Sequence, residues 1–429
     1  MKFSSAKALV TQTQLAPLID TLDPYRARLF AIAQGPGYRE PESSIQLPCD
    51  VELIKEIQAA FRRLRTPTLQ YVIVVGIGGS NLGTQAVYEA IAGSMNLLVD
   101  RLPKLLFLDT VTDEKMTAVT RVLEHLVAKE DVLVIVISKS GTTTETIANM
   151  EVLLECATQQ LGDVKDRFVF ITDEGSKLWN AARERNMETL SVPAQAGGRY
   201  SVLSAVGLLP LSLAGIDIVE LTAGAKRAVA DGTSADISIN HSLVSACLTY
   251  AQTQQGRLIR NTFLFSPKLE GLGKWERQLI AESLGKNGKG IVPMVSIGST
   301  DLHSMAQLYW DGPDTFFTNL VFSFTGEVHA VPQHLSLPGL VQHISGASLE
   351  GIMQAIYGGV QAAYEKAARP YVEIDLGKAD AWELGYYLQF RMMETMYLGR
   401  LLGINPFDQP AVEMYKEITR DLLKSPQAV

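Results

Sequence analysis

Residues 131–146 read DVLVIVISKSGTTTET. From Val132 to Ile137 the run is unbroken and apolar. Such a run is a strand buried on both faces, the kind a parallel sheet uses, because a half-exposed strand would alternate with polar residues. The run stops at Ser138, and five hydroxyls follow within seven residues: Ser138, Ser140, Thr142, Thr143 and Thr144. A helical pattern then begins near Glu145. A strand that feeds a hydroxyl-rich turn into a helix N-terminus aims free backbone N–H groups and the positive end of the helix dipole at an anion. One or two hydroxyls would be ordinary helix caps. Five, directly after a strand, make a phosphate cradle, with Ser138, Ser140 and Thr143 as donors and Lys139 as a charge.

Outward from this stretch the pattern alternates. Strand-like runs fall at 71–75, 105–109, 132–137, 167–171 and 189–192. Helical segments fall between them at 82–91, 114–125, 144–161 and 176–186, after an amphipathic helix at 50–65. Five strands joined by helical crossovers predict a doubly wound parallel sheet, whose ligands bind at the carboxyl ends of the strands. The turn from Gly76 to Gly83, GIGGSNLG, lies at such an end. It is not a dinucleotide fingerprint, since the third glycine of GxGxxG would fall at Asn81. Nor does GxxxxGK followed by Ser or Thr, the P-loop pattern, occur in the sequence. The loop still lets backbone approach a ligand closely at Gly79, and Ser80 adds a hydroxyl.

The second half repeats the theme less cleanly. Strands are expected at 258–265, 290–297, 316–324 and 371–374, and long helices at 346–368 and 379–402. A last helix is expected over 409–423, with Asp408 as N-cap and Pro410 in its first turn. A boundary near 215 gives two units, 50–215 with the phosphate loop and 216–429, with the arm 1–49 packed on the second.

Composition narrows the function. The 429 residues are 47% hydrophobic and 20% charged, with 34 glycines, which suits a soluble α/β enzyme. A net charge of −8 without a basic block argues against a nucleic-acid partner. Cys49, Cys156 and Cys247 are widely spaced and read as reduced thiols. The first twenty residues lack a signal-peptide core. The uncharged stretch 200–216 is short for a span and reads as a buried helix, so no membrane partner and a cytoplasmic location are expected. His329 and His334 lie in a proline-containing loop without metal-ligand spacing, and His125 sits in a charged helical stretch. No metal and no cofactor are expected.

Four motifs, in order, then carry a resemblance. They are Gly76-Ile-Gly-Gly-Ser80, Ser138-Lys-Ser-Gly-Thr-Thr-Thr-Glu-Thr146, Gly197-Gly-Arg-Tyr-Ser201, and Phe407-Asp-Gln409 followed by Val412-Glu-x-x-Lys416. Together they resemble the glucose-6-phosphate isomerase family, in its short bacterial form. The resemblance implies two sugar-isomerase (SIS) type doubly wound α/β domains, each a mainly parallel sheet flanked by helices. It also implies a homodimer, a small phosphorylated sugar as substrate, and metal-free aldose–ketose isomerisation through a cis-enediol.

That reaction moves a proton between C2 and C1, which one carboxylate can reach. A fixed cation must face the oxygen where enediolate charge develops, and the phosphate supplies remote binding energy. By resemblance, Glu282 in Ala281-Glu-Ser-Leu-Gly-Lys286 is the base, although Leu284 stands where larger members carry Asn. Arg199 faces the C1–C2 oxygens. His303 opens the ring and is donated across the dimer, although Leu302 replaces a Gln of larger forms. Lys416 acts near the ring oxygen. Gly79 and Gln278 lie near the sugar, and Ser80 joins the phosphate site. Gly141, where larger forms carry Phe, leaves room for a related phosphosugar such as mannose 6-phosphate. A non-catalytic phosphosugar sensor would not need Glu282, Arg199, His303 and Lys416 together.

Overall fold

Two parallel sheets, one from each half of the chain, form the fold, and the N-terminal strand joins the second. The computed structural model describes residues 1–324, 326 and 329–424. The chain opens with a short strand β1 (Lys2–Ser4), then helices α1 (Gln12–Gln34) and α2 (Val51–Leu64). The first alternating set follows: β2 (Tyr71–Val75), α3 (Leu82–Ala92), β3 (Lys104–Leu108), α4 (Asp113–Glu124), β4 (Val132–Ile137), α5 (Thr144–Leu161), β5 (Phe168–Thr172), α6 (Lys177–Glu184) and β6 (Glu188–Ser191). These strands form a parallel sheet in the order β3-β2-β4-β5-β6. All six residues of β4 are buried, as a strand covered on both faces requires. The strand order reverses between β2 and β4, so the loops after these two strands open on one crevice.

Three helices follow, α7 (Ala205–Leu213), α8 (Ile218–Gly232) and α9 (His241–Gln254). The second set is β7 (Ile259–Phe265), α10 (Glu270–Leu284), β8 (Val292–Ile297), α11 (Ala306–Asp311), β9 (Phe316–Phe322), α12 (Leu349–Lys366), β10 (Tyr371–Asp375), α13 (Ala381–Leu402) and α14 (Val412–Leu423). The order β8-β7-β9-β10 is again parallel, and β1 adds to the β10 edge in antiparallel register, Lys2 opposite Asp375.

The uncharged stretch near 200–216 is the short buried helix α7, and among the described residues no helix is long and apolar enough to cross a membrane. The last helix starts later than expected. Its N-cap is Ala411, which makes no side-chain cap bond. Asp408 cannot serve there because its carboxylate lies 2.7 Å from the Lys286 ammonium.

One apolar core joins the two sheets, with Val72 and Val74 of β2 and Leu264 of β7 sharing it with Trp275 and Leu279 of α10. Helix α13 is buried on every side from Leu384 to Gly399, so it is an interior helix rather than an amphipathic cover. Four charges are sealed beside it. Arg260 of β7 lies 3.0 Å from both Glu276 of α10 and Glu394 of α13, and Arg391 lies 2.8 Å from Glu394. The Tyr387 hydroxyl donates to Glu276. Buried charges are tolerable only when paired and hydrogen-bonded. Each of the two cations is paired with both carboxylates, although Arg260 Nε and Arg391 Nε and Nη2 make no hydrogen bond among the described residues; the cluster ties α10 to the sheet below and to α13 behind.

Candidate active site

Glycine sets the closest approach. A Cβ on Gly79 would lie 2.2 Å from the Gly198 carbonyl carbon and 2.5 Å from the Arg199 nitrogen. No side chain fits there, and its lack lets the turn after β2 lie directly on the turn that presents Arg199. Gly78 takes φ +60°, and a Cβ there would sit 2.9 Å from Gln278 Nε2. A Cβ on Gly76 would lie 3.0 Å from the Ile137 carbonyl, at the end of β4. The β2 loop therefore touches the Arg199 turn, α10 and the root of the hydroxyl loop after β4.

Arg199 is buried, and its guanidinium uses all five N–H donors. Nε donates to Ser283 Oγ at 2.7 Å. Nη1 donates to Glu282 Oε1 at 3.1 Å and to Gln409 Oε1 at 2.8 Å. Nη2 donates to the carbonyls of Pro406 at 2.7 Å and Asp408 at 3.1 Å. The guanidinium also stands 5.5 Å from the centre of the Tyr200 ring. Burial raises the Tyr200 phenol above its ordinary range, which keeps it neutral beside Arg199.

Glu282 is part-exposed at 23% and so reachable. Its other oxygen accepts from Gln278 Nε2 at 2.9 Å, one helical turn earlier on α10. Gln278 Oε1 is buried and has no hydrogen-bond partner among the described residues. A buried acceptor left unpaired costs roughly 1–3 kcal/mol.

The hydroxyl loop is held from beneath. Gly141 takes φ +67°, and a Cβ there would meet Ser176 Oγ at 2.9 Å and the Leu178 nitrogen at 3.0 Å. Ser138 Oγ lies 2.9 Å from Thr143 Oγ1. Thr143 occupies the N-cap of α5 yet makes no side-chain cap bond, because its hydroxyl turns to Ser138 instead. The first N–H groups of α5 are left uncapped at the mouth of the crevice. Ser140 Oγ accepts from the Thr142 N–H at 3.3 Å, and Ser80 stands half-buried in the adjoining loop. Lys139 turns elsewhere: its ammonium donates to the Ala194 carbonyl at 2.5 Å.

Two expected residues stand outside this cluster. His303 is exposed, in the turn after β8, and its ring makes no hydrogen bond among the described residues. Lys416 lies on α14, 2.8 Å from Glu413, and bonds neither Glu282 nor Arg199. Among the described residues no group of three or more His, Cys, Asp and Glu side chains is arranged to hold a metal ion.

The geometry adds Ser283, Gln409 and the carbonyls of Pro406 and Asp408. Gln409 is visible in the sequence as the third residue of Phe-Asp-Gln, and Ser283 as the neighbour of Glu282. The carbonyls leave no mark there, because every residue carries one.

A family model described as phosphoglucose isomerase matches residues 51–324. A glucose-6-phosphate isomerase of Rubrobacter xylanophilus is 35% identical over 399 residues, covering 90% of each chain. Another, of Shouchella clausii, is 34% identical over 89% of this chain and 86% of its own. Among solved structures, a hypothetical protein from Thermus thermophilus superposes with a TM-score of 0.87 at 28% identity, over 99% of this chain and all of that one. A glucose-6-phosphate isomerase from Chlamydia trachomatis superposes with a TM-score of 0.82 at 22% identity, covering 99% and 89% of the two chains, and it speaks for the fold.

Proposed function

The chain belongs to the phosphoglucose isomerase family, and from that premise we propose that it interconverts D-glucose 6-phosphate and D-fructose 6-phosphate. The observation that carries the reading is the contact of a buried arginine with a reachable carboxylate, Arg199 Nη1 on Glu282 Oε1 at 3.1 Å, beside a hydroxyl-rich helix N-terminus. A carboxylate is the right base for a proton held next to a carbonyl, and a permanent cation is the right neighbour for an enediolate.

In this reading the phosphate sits on the N–H groups of α5 and the hydroxyls of Ser80, Ser138, Ser140 and Thr143. Lys139 joins only by leaving the Ala194 carbonyl. Glu282 takes the C2 proton and returns it to C1 on the same face of the planar intermediate. Arg199 holds the charge on the neighbouring oxygens, and Gln278 and the backbone at Gly79 hold the sugar. Residues 50–215 bring Arg199 and the phosphate loop. Residues 216–429, with the arm 1–49, bring Glu282 and Gln278. Lys416 assists ring opening, as does His303, which comes from the other subunit of a homodimer. The enzyme works in the cytoplasm without metal or cofactor.

The test is a coupled assay in which fructose 6-phosphate is supplied and glucose 6-phosphate detected after exhaustive chelation. Full turnover is expected. Absence of turnover refutes the isomerase, and a loss restored by a divalent ion refutes the metal-free route.

A further inference from the structure

The motif that carries Glu282 runs on into a turn that the chemistry above leaves unused. After α10, residues 286–289 read Lys-Asn-Gly-Lys. The Lys286 N–H donates to the Lys289 carbonyl at 3.1 Å, and the Lys289 N–H to the Lys286 carbonyl at 2.8 Å. Asn287 and Gly288 take φ of 54° and 70°. Two successive left-handed residues make a tight two-residue reversal, and Asn-Gly adopts it with least strain. A turn of this kind is stiff, so the lysines that flank it are held at a set spacing.

Both lysines reach the same piece of chain. Lys289 Nζ lies 2.7 Å from the Leu402 carbonyl at the end of α13. Lys286 Nζ donates to the Asn405 carbonyl and lies 2.7 Å from Asp408 Oδ1. The Lys286 side chain is only 10% exposed although Asp408 is 55% exposed, so the ammonium itself is shielded while the pair stays open to solvent on its carboxylate side. Segment 405–408 is also braced internally: Asp408 Oδ2 accepts from Asn405 Nδ2 at 2.8 Å, and the Phe407 N–H donates to Asn405 Oδ1 at 3.1 Å. This braced segment, with Gln409 just after it, supplies three of the five acceptors around Arg199.

We infer that the Lys286–Lys289 turn is a clamp that fixes the segment 402–409 and thereby aims the Arg199 guanidinium. The lysines touch no reacting atom, so they are positioning residues, and the inference rests on the reading that Arg199 faces the developing enediolate. Preorganised charge loses its value when it is misplaced by even an ångström. With the clamp opened, the carbonyls of Pro406 and Asp408 are free to drift, and the plane of the guanidinium turns with them.

The experiment compares the full chain with Lys286→Met, Lys289→Met, the double variant and Lys286→Arg. For Lys286→Met, kcat is expected to fall about tenfold or more with KM within about twofold, and further in the double variant. Lys286→Arg keeps a cation of similar reach and recovers most of the rate. Two inhibitors separate positioning from plain stability. A planar hydroxamate phosphate that mimics the enediolate loses affinity in step with kcat. An acyclic sugar-alcohol phosphate, saturated at C1 and C2, keeps its affinity. Unchanged kcat and hydroxamate affinity would overturn the inference. So would a fall in both affinities together, or a lowered melting temperature with turnover per folded molecule intact. A wild-type chain without isomerase turnover would refute the functional reading itself, and the inference with it.

Discussion

At the scale of single residues, the arrangement around Glu282 makes sharp demands. Glu282→Gln keeps the shape and the contact with Gln278 but removes the proposed base. We expect kcat to fall by about a hundredfold or more, with affinity for a phosphorylated inhibitor largely retained. Steady-state kinetics paired with calorimetric titration decide this, and near-normal turnover would mean that another group moves the proton. In the hydroxyl loop proposed to hold the phosphate, Ser138 and Thr143 satisfy each other at 2.9 Å, so neither hydroxyl is orphaned before an anion arrives. Replacing both by Ala is expected to weaken inhibitor binding by roughly 1.5–3 kcal/mol for each bond lost to a charged phosphate. Unchanged affinity would place the phosphate elsewhere. Glu282 and Arg199 are legible only through their motifs. A helical Glu and an Arg in a glycine-rich turn are each unremarkable alone. What a motif does not supply is the reason for Gly79, since the backbone it admits belongs to a turn more than a hundred residues away.

At the scale of elements, legibility follows burial. The runs at β2 and β4 declare themselves because each is sealed on both faces and ends at a turn. Helix α5 is equally clear, since it starts at Thr144, the last of the loop hydroxyls, and is capped at Gly162 with φ +80°. Strand β1 is too short, at three residues, to show any alternation, and only its pairing with β10 makes it a strand. The start of α14 departs from expectation because Asp408 has the chemistry of a cap but is taken by Lys286. The buried quartet is invisible in the sequence for a related reason: four charges spread over more than a hundred residues look like surface until they meet. Burial alone would raise the Glu394 carboxyl, but Arg260 and Arg391 outweigh it and hold it below its ordinary 4.5. A depressed carboxyl contributes stability that is complete above its unfolded value and is lost as the pH falls through its folded one. Glu394→Gln should destabilise the fold by about 3–5 kcal/mol at neutral pH, because it strands buried guanidinium charge. It should also flatten the loss of stability on acidification below about pH 4.5. Urea titrations at several pH values test both, and a variant with the wild-type acid limb would assign that limb to other groups.

At the scale of the whole molecule, the proposed homodimer bears on the residues that stand apart from the Arg199 cluster. His303 is exposed, and α14 buries none of its residues although Met414, Tyr415, Ile418 and Leu422 present apolar area. Leu337 and Leu340 are likewise bare, at 72% and 76% exposure. Apolar surface of this kind is what a second copy covers in a two-fold dimer. A shared site is testable by complementation. His303→Ala and Glu282→Gln are each expected to be inactive, but a mixed dimer holds one site with both native residues. Random exchange should restore about a quarter of wild-type activity, since half the dimers are mixed and each has one good site in two. No recovery after proven exchange would return His303 to its own chain. The bare face of α14 has a kinetic meaning as well. If a second copy covers this face, as the proposed homodimer would have it, turnover per chain becomes a property of concentration. On progressive dilution the rate should fall faster than the amount of enzyme, while the two sheets, each complete within one chain, remain folded.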